Sequence, residues 1–173
     1  MKLTPCPHCK VVGTLILHGR LYGYAENGDC EKTCRGRRIF CSNRRRRHNG
    51  CGRTFAVLAA DTIRRFRIGA KTFWRFIKLV LSLNNKAKAL RDSKAGYTQS
   101  AAYILWQRFM DAQSHLRTAL ISQCSPPACC PAPKPALPLQ KAAQTVAHLE
   151  AAFPSESCPI AAFQHQLQTA FLP

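Results

Sequence analysis

The sequence predicts a small α+β protein whose first part forms short strands and whose second part forms helices. Glycine punctuates the first 57 residues, whereas Gly and Pro almost vanish over residues 61–122, where apolar residues recur at helical spacing. Six prolines then fall within sixteen residues, which is typical of an extended linker. These shifts in composition predict four segments, namely 1–58, 61–122, a proline-rich linker at 124–139 and an Ala/Gln-rich tail at 140–173.

The first segment contains three runs with strand character, Val11–His18, Arg37–Phe40 and Arg53–Leu58. A segment this short and this rich in glycine cannot bury a large hydrophobic core. It therefore needs a staple, and a metal ion or a disulfide is the usual one in so small a unit.

The cysteines have the spacing of a metal site. Cys6 and Cys9 stand three residues apart in the sequence CPHC, so that both thiolates can reach one tetrahedral zinc ion. The second pair is either Cys30 with Cys34 or Cys41 with Cys51. We favour Cys41 and Cys51, because each adjoins a strand-like run, although ten residues is a long separation for such a pair.

Histidines offer alternative ligands, and the compartment limits the other chemistry of the cysteines. His8, His18 and His48 can replace a thiolate in principle, but solvent exposure is the expected fate of each. The amino terminus lacks the apolar core of a secretory signal, and no segment is apolar enough to span a bilayer. We therefore expect a cytoplasmic, reducing environment, in which ten cysteines indicate metal binding more than disulfides.

The second segment predicts three helices. The first runs from about Lys71 to Leu83, and the second covers Lys86 to Ser93. A turn in which Gly96 is well placed for a left-handed backbone precedes the third. Thr98 or Ser100 can cap the third helix, which should run to about Ser122. Its predicted apolar face consists of Tyr103, Ile104, Trp106, Phe109, Met110, Leu116 and Leu120.

This order of helices has two interpretations. A helix, a short helix, a glycine turn and a longer helix form the outline of a helix-turn-helix unit. An ordinary helical hairpin that packs on the first segment would have the same pattern. The tail is also open to two interpretations, because the Ala/Gln-rich amphipathic stretches Gln140–Phe153 and Pro159–Phe171 either form helices that fold back or stay mobile.

The positive charge is concentrated in the first part of the chain. Residues 1–123 carry 24 of the 26 Lys and Arg residues and six of the eight acids, whereas residues 124–173 are neutral. A net charge of +18 placed in this way favours a polyanionic partner over a role in solubility alone.

Two groups of arginines are the candidate phosphate contacts. The first is a run of four that either straddles phosphates or forms an unstructured basic loop, and it consists of Arg44, Arg45, Arg46 and Arg47. The second group extends the positive surface towards the helices and consists of Arg64, Arg65 and Arg67.

Three stretches of the chain resemble known proteins. CPHC, RGRRIFCSNRRRRHNGCGRTF and SAAYILWQRFMDAQSHLRTAL are similar to the zinc-ribbon and helix-turn-helix regions of bacterial insertion-sequence transposases and their small accessory proteins. The resemblance covers roughly residues 3–122. It implies a zinc ion on Cys6, Cys9, Cys41 and Cys51, a bacterial protein, and duplex DNA read by the helix that begins near Ser100. A separate transposase subunit is a further partner that the resemblance implies.

The sequence weighs against catalysis and leaves two binding functions open. Metal-assisted cutting or joining of nucleic acid needs clustered carboxylates, and the eight acids here are scattered. In contrast to the full-length transposases that it resembles, we expect no catalytic domain after the helical segment. We therefore predict that the chain is not an enzyme but a DNA-binding module, in which Gln99, Ser100 and Gln107 contribute to sequence choice. An RNA-binding zinc-ribbon protein or a transcription regulator is the alternative, and exposed aromatic residues on the ribbon would favour RNA.

Overall fold

A computed structural model describes residues 3–24, 31–43, 50–128 and 137–172. The described chain divides into two compact units, one formed by residues up to Ala59 and the other by residues from Ala60 to Leu172. A three-stranded antiparallel sheet lies in the first unit, and the six helices of the described chain lie in the second. The prediction of a small α+β protein is confirmed. Six residues that the sequence singled out lie outside the described ranges, namely Cys30, Arg44, Arg45, Arg46, Arg47 and His48.

The first unit is a ribbon of three strands in the order β1-β2-β3. They are β1 (Leu15–Tyr24), β2 (Lys32–Cys41) and β3 (Thr54–Leu58). The strand predicted from Val11 begins only at Leu15, because Gly13 has a φ of +80°, a left-handed conformation that turns the chain before the strand. The buried core is as small as expected. It consists of Cys6, Leu15, Ile39 and Cys41, with Cys9 and Phe55 packed against it.

The second unit starts with two helices close to the predicted bounds. They are α1 (Ala70–Leu83) and α2 (Lys86–Asp92), and α1 ends where Asn84 adopts a left-handed conformation with a φ of +49°. The Asn85 side chain then caps α2 by accepting a hydrogen bond from the Lys88 N–H at 2.9 Å. The turn that follows α2 differs from the prediction, because Lys94 and not Gly96 adopts a positive φ.

The third predicted helix is two helices, α3 (Gln99–Asp111) and α4 (Gln113–Ile121), which meet at Ala112. The physical reason lies in the buried side chain of Gln113. Its amide donates to the Phe109 carbonyl at 2.9 Å, and an uninterrupted helix would pair that carbonyl with the backbone N–H of the same residue. The prediction of one helix to about Ser122 is therefore wrong, although both helices bury apolar residues.

The predicted apolar face of the third helix is partly wrong as well. Leu116 and Leu120 are buried, as are Trp106 and Phe109, but Tyr103 and Ile104 are 59% and 55% exposed. Leu105, which the predicted stripe left out, is fully buried. The apolar face that packs on the core therefore lies about one residue away from the predicted one.

The Ala/Gln-rich tail belongs to the helical unit. Helices α5 (Pro138–Ala152) and α6 (Pro159–Leu167) place Val146, Leu149 and Phe163 in the same core as α1, α3 and α4. Beyond α6, the Phe171 ring stacks on Phe109, with an interplanar angle of 10° and ring centroids 6.1 Å apart. Of the two fates that the sequence left open, the described residues of the tail fold back.

Candidate metal centre

The first two cysteines lie on a tight turn that folds back on itself. The Cys6 N–H donates to the Val11 carbonyl at 3.0 Å, and the Lys10 N–H donates to the Cys6 carbonyl at 2.9 Å. Lys10 has a φ of +63°, and Pro5 forms an antiparallel bridge with Val12. The chain therefore reverses around Cys6 and Cys9, which brings their two sulfurs to the same site.

The second pair lies at the base of a loop whose ends are held together. Cys41 is the last residue of β2, and its carbonyl accepts a hydrogen bond from the Gly52 N–H at 3.0 Å. One step further along the loop, the Gly50 N–H donates to the Ser42 carbonyl at 2.9 Å. These two bonds bring Cys41 and Cys51 close together despite the nine residues between them. The described residues at the two ends of this spacing therefore form a closed base.

Two glycines next to this pair have geometric reasons to be glycine. A β-carbon on Gly50 would lie 2.4 Å from the Cys41 sulfur and 2.5 Å from the Ser42 carbonyl oxygen. Gly52 has a φ of +69°, which L-amino acids with side chains rarely adopt. The second turn therefore needs both residues in order to close around the sulfur of Cys41.

The four sulfurs are spaced as the ligands of one ion. All four Sγ atoms of Cys6, Cys9, Cys41 and Cys51 lie within 4.8 Å of one another. Cys6 Sγ is 3.8 Å from Cys51 Sγ, and Cys9 Sγ is 3.7 Å from Cys41 Sγ. A disulfide would bring two sulfurs to about 2.05 Å. Four thiolates about 2.3 Å from a tetrahedral zinc ion would stand about 3.8 Å apart. The cluster could therefore hold a metal ion.

Polar groups around Cys41 orient its sulfur. The Thr14 hydroxyl lies 3.1 Å from Cys41 Sγ, and the Cys51 backbone N–H donates to the same sulfur at 3.3 Å. Thr14 is buried, and its carbonyl accepts from the Ser42 N–H, which ties the start of β1 to the second turn. Such contacts fix the direction of a ligand and tune its charge. Sequence reasoning missed Thr14, since a threonine ahead of a strand carries no signal by itself.

The thiols of the cluster ionise unequally. Burial raises the pKa of Cys6, but the backbone N–H groups of Cys9 and His8 and the neighbouring thiols outweigh it and lower the pKa to about 6. For Cys51, a backbone hydrogen bond at Arg53 lowers the pKa, yet burial and the other three thiols together raise it to about 11. Close thiols resist carrying charge together, so one ionises early and another late. A cation between them would remove that repulsion.

The alternative ligands that the structure describes lie outside the four-cysteine cluster. Cys34 is exposed on β2, and its thiol donates to the Gly36 carbonyl at 3.5 Å, away from the four-cysteine group. His8 and His18 are both exposed and lie beside aromatic rings, His8 at 6.0 Å from Phe55 and His18 at 5.9 Å from Phe40. Within the described residues, the group of ligating side chains that could hold a metal is the one the sequence favoured.

The residues predicted to contact nucleic acid are exposed where the structure describes them. Arg64, Arg65 and Arg67 lie on the segment before α1 and are solvent-accessible. Gln99 and Ser100 are exposed in the first turn of α3, where the Thr98 hydroxyl lies 3.0 Å from that of Ser100. Gln107 is exposed further along α3 and donates to the Asp111 carboxylate at 2.8 Å.

The arginine run between Cys41 and Cys51 is not among the residues that the structure places. The described ranges stop at Asn43 and resume at Gly50, so they leave out all four predicted phosphate contacts of the loop, Arg44, Arg45, Arg46 and Arg47. Their role stays a prediction from the sequence. What the structure does show is the closed base from which their loop leaves, formed by the hydrogen bonds of Gly50 and Gly52.

The fold and the site define a small α+β protein with a four-cysteine cluster that could bind a metal ion. No protein-family model, curated protein or solved structure matches the chain. Among the described residues, none of the helices has the length and apolar character needed to cross a membrane.

Proposed function

We propose that this protein binds nucleic acid, with duplex DNA as the expected partner, and that a zinc ion on the four cysteines holds the ribbon in its binding form. The observation that carries the proposal is the positive charge of the first unit, which contains the four-cysteine cluster. Residues 1–59 contain twelve Lys and Arg residues against three acids. Arg20, Arg37 and Arg38 are exposed on the ribbon and form no ion pair with a described residue. Surface charge of this kind attracts a phosphate backbone.

Zinc is the metal that the donor set favours. Four thiolates in a tetrahedral arrangement select zinc or iron–sulfur chemistry, and closed structural sites in small domains are typically zinc sites. Within the described residues, the buried hydrophobic core of the ribbon consists of four residues, and two of them are the cysteines Cys6 and Cys41. The metal would therefore supply most of the folding free energy of this unit.

The helical unit supplies the second part of the proposal. Helices α1, α2 and α3 follow one another as in a helix-turn-helix, and α2 packs against both neighbours. Gln99, Ser100 and Gln107 on α3 would read base edges, while the arginines of the loop and those before α1 would bind phosphates. In this proposal the chain acts by binding and not by catalysis, either as a stand-alone module or as a transposon-derived accessory factor that works beside a separate transposase subunit.

The test is binding to a selected duplex and to a scrambled one over a range of salt. Replacing Arg44, Arg45, Arg46 and Arg47 by Gln should weaken binding to both duplexes equally. It should also reduce the slope of log affinity against log salt by about 0.9 for each phosphate that the variant no longer neutralises. Replacing Gln99, Ser100 and Gln107 by Ala should narrow the gap between the two duplexes, since one good base contact discriminates by about 1–3 kcal/mol. Failure to find any preferred duplex would refute the proposal that residues on α3 recognise a particular base sequence.

RNA is the second candidate, and one observation favours it. Tyr22 and Tyr24 on β1 are 57% and 44% exposed, and aromatic rings on an open ribbon are suited to unpaired bases. The same titration with an RNA strand at equal salt separates the two candidates. Tighter binding to RNA than to every duplex would show that the partner is RNA and not duplex DNA.

A further inference from the structure

One face of the ribbon carries cationic side chains and aromatic rings. Along β1, Arg20, Tyr22 and Tyr24 are exposed, whereas Leu21 and Gly23 between them are half-buried. Side chains two residues apart on a strand point to the same side of the sheet. The register shift between Leu21 and Tyr22 places its extra residue, Arg35, on β2, so β1 keeps its alternation there. Arg20 and the two tyrosines therefore lie on one face of β1.

The neighbouring strand adds two more cations. Arg37 on β2 lies directly opposite Arg20, and Lys32 lies directly opposite Tyr24. Like charges directly opposite each other on adjacent strands are destabilising. Neither Arg20 nor Arg37 forms an ion pair with a described residue. An anion bound between the two side chains would offset their repulsion. We call the five residues Arg20, Tyr22, Tyr24, Lys32 and Arg37 the ribbon face.

The spacing of the rings distinguishes one form of nucleic acid from the other. The backbone rises about 3.3 Å per residue in a strand, so Tyr22 and Tyr24 are anchored about 7 Å apart. Stacked bases in one strand of a duplex are about 3.4 Å apart and are covered above and below. Each ring therefore needs a base that has left its stack, and only a single strand presents such bases without being opened.

We propose that the ribbon face binds single-stranded nucleic acid, with one base stacked on each of Tyr22 and Tyr24 and the backbone phosphates held by Arg20 and Arg37. The inference deepens the proposed function and rests on it, because it assigns a second form of nucleic acid to the first unit. Stacking on aromatic rings tolerates any base, so the face should bind without strong sequence preference.

The opposite side of the sheet provides a matched control. Arg38 is the neighbour of Arg37 on the central strand, so its side chain lies on the other side of the sheet. It stands between Gly19 and Ala56 and is exposed. Arg37→Gln and Arg38→Gln thus remove the same charge from the same strand on opposite faces. Tyr22→Phe keeps the ring, whereas Tyr22→Leu removes it.

The experiment measures the binding of the full zinc-loaded chain to three labelled probes by fluorescence anisotropy. The probes are an oligodeoxythymidine, the matching oligouridine and a duplex of the same length, each of about 15 nucleotides per strand, which covers the site of one small binding domain. Zinc content measured on each variant shows that the ribbon is intact.

The tyrosine variants should change the affinity for single strands, and the arginine variants should change its dependence on salt. Tyr22→Leu should weaken binding to the single strands by roughly five- to a hundredfold and leave the duplex unaffected, while Tyr22→Phe should bind like the unmodified chain. Arg37→Gln should lower the single-strand salt slope by about 0.7, and Arg38→Gln should not.

The outcomes separate the two proposals. If single strands bind but Tyr22→Leu and Tyr22→Phe are equal to the unmodified chain, the ribbon face is not the site and the inference fails, while nucleic-acid binding stands. Equal losses from Arg37→Gln and Arg38→Gln would also overturn it, because the effect would then be charge alone. If no probe binds, the proposed function fails together with the inference.

Discussion

Gly50 lies against the sulfur of Cys41, so closely that a β-carbon at this position would come within 2.4 Å of Cys41 Sγ. Real β-carbons do not approach other atoms at such distances, so a side chain here must displace either the sulfur or the loop backbone. The position of one sulfur of the four-cysteine cluster therefore depends on a residue outside the cluster.

Gly50→Ala should accordingly weaken metal binding. Displacing Cys41 would disturb both its distance to Cys9 and its hydrogen bond from the Cys51 N–H, and changes around metal ligands typically cost about 10–100-fold in affinity. The measurement is competition for zinc with a chromophoric chelator. Gly19→Ala serves as the control, because a β-carbon on Gly19 would meet nothing within 4 Å. Equal affinities for the two variants would refute this account of the loop.

The cysteines outside the cluster should be dispensable for the metal. Cys51→Ser should abolish stoichiometric zinc binding and unfold the ribbon. Cys34→Ser should retain one zinc per chain, because the Cys34 sulfur of the unmodified chain faces the Gly36 carbonyl and not the cluster. Elemental analysis of the purified variants, together with circular dichroism, tests this. Loss of zinc from Cys34→Ser alone would reverse the ligand assignment.

The carboxyl-terminal residues should contribute strongly to the stability of the helical unit. Phe171 is fully buried among the rings of Phe73, Phe109 and Phe163. Phe171→Ala should therefore lower the free energy of unfolding by about 3–5 kcal/mol, as is usual for a large aromatic residue removed from a core. Chemical denaturation followed by tryptophan fluorescence measures it, with the exposed Gln166→Ala as control. A change below about 1 kcal/mol for Phe171→Ala would show that the tail does not share this core.

The packing of the tail in this core could not be predicted from the sequence, for a physical reason. About half of the apolar residues of α5 and α6 are alanines, which bury little surface, so the amphipathic pattern fits a mobile segment as well as a packed one. The break at Ala112 was equally hidden, because it depends on one buried hydrogen bond from Gln113 to the Phe109 carbonyl. Cys41 and Cys51, in contrast, could be selected from the sequence because both adjoin strands.

Metal binding should release fewer than four protons per ion near neutral pH. With a pKa of about 6, Cys6 has already lost its proton at neutral pH, whereas Cys51, with a pKa of about 11, still holds one that the metal must displace. As the pH falls below about 6, Cys6 takes up a proton and competes with the metal, so affinity should fall. Calorimetric titration of zinc in two buffers with different ionisation enthalpies counts the protons. Release of one proton from every thiol at neutral pH would contradict the low pKa of Cys6.

The most direct test of the whole account is the dependence of nucleic-acid binding on the metal. The full chain is titrated with a labelled nucleic acid at near-physiological salt in three states, namely zinc-loaded, stripped by a chelator, and stripped with zinc restored. Since the described hydrophobic core of the ribbon is small, we expect the ribbon to unfold without the proposed ion. Stripping should then weaken binding by about tenfold or more, and restored zinc should recover it. Unchanged affinity in the stripped protein would show that charge alone binds the polyanion and that the four-cysteine cluster has no part in it.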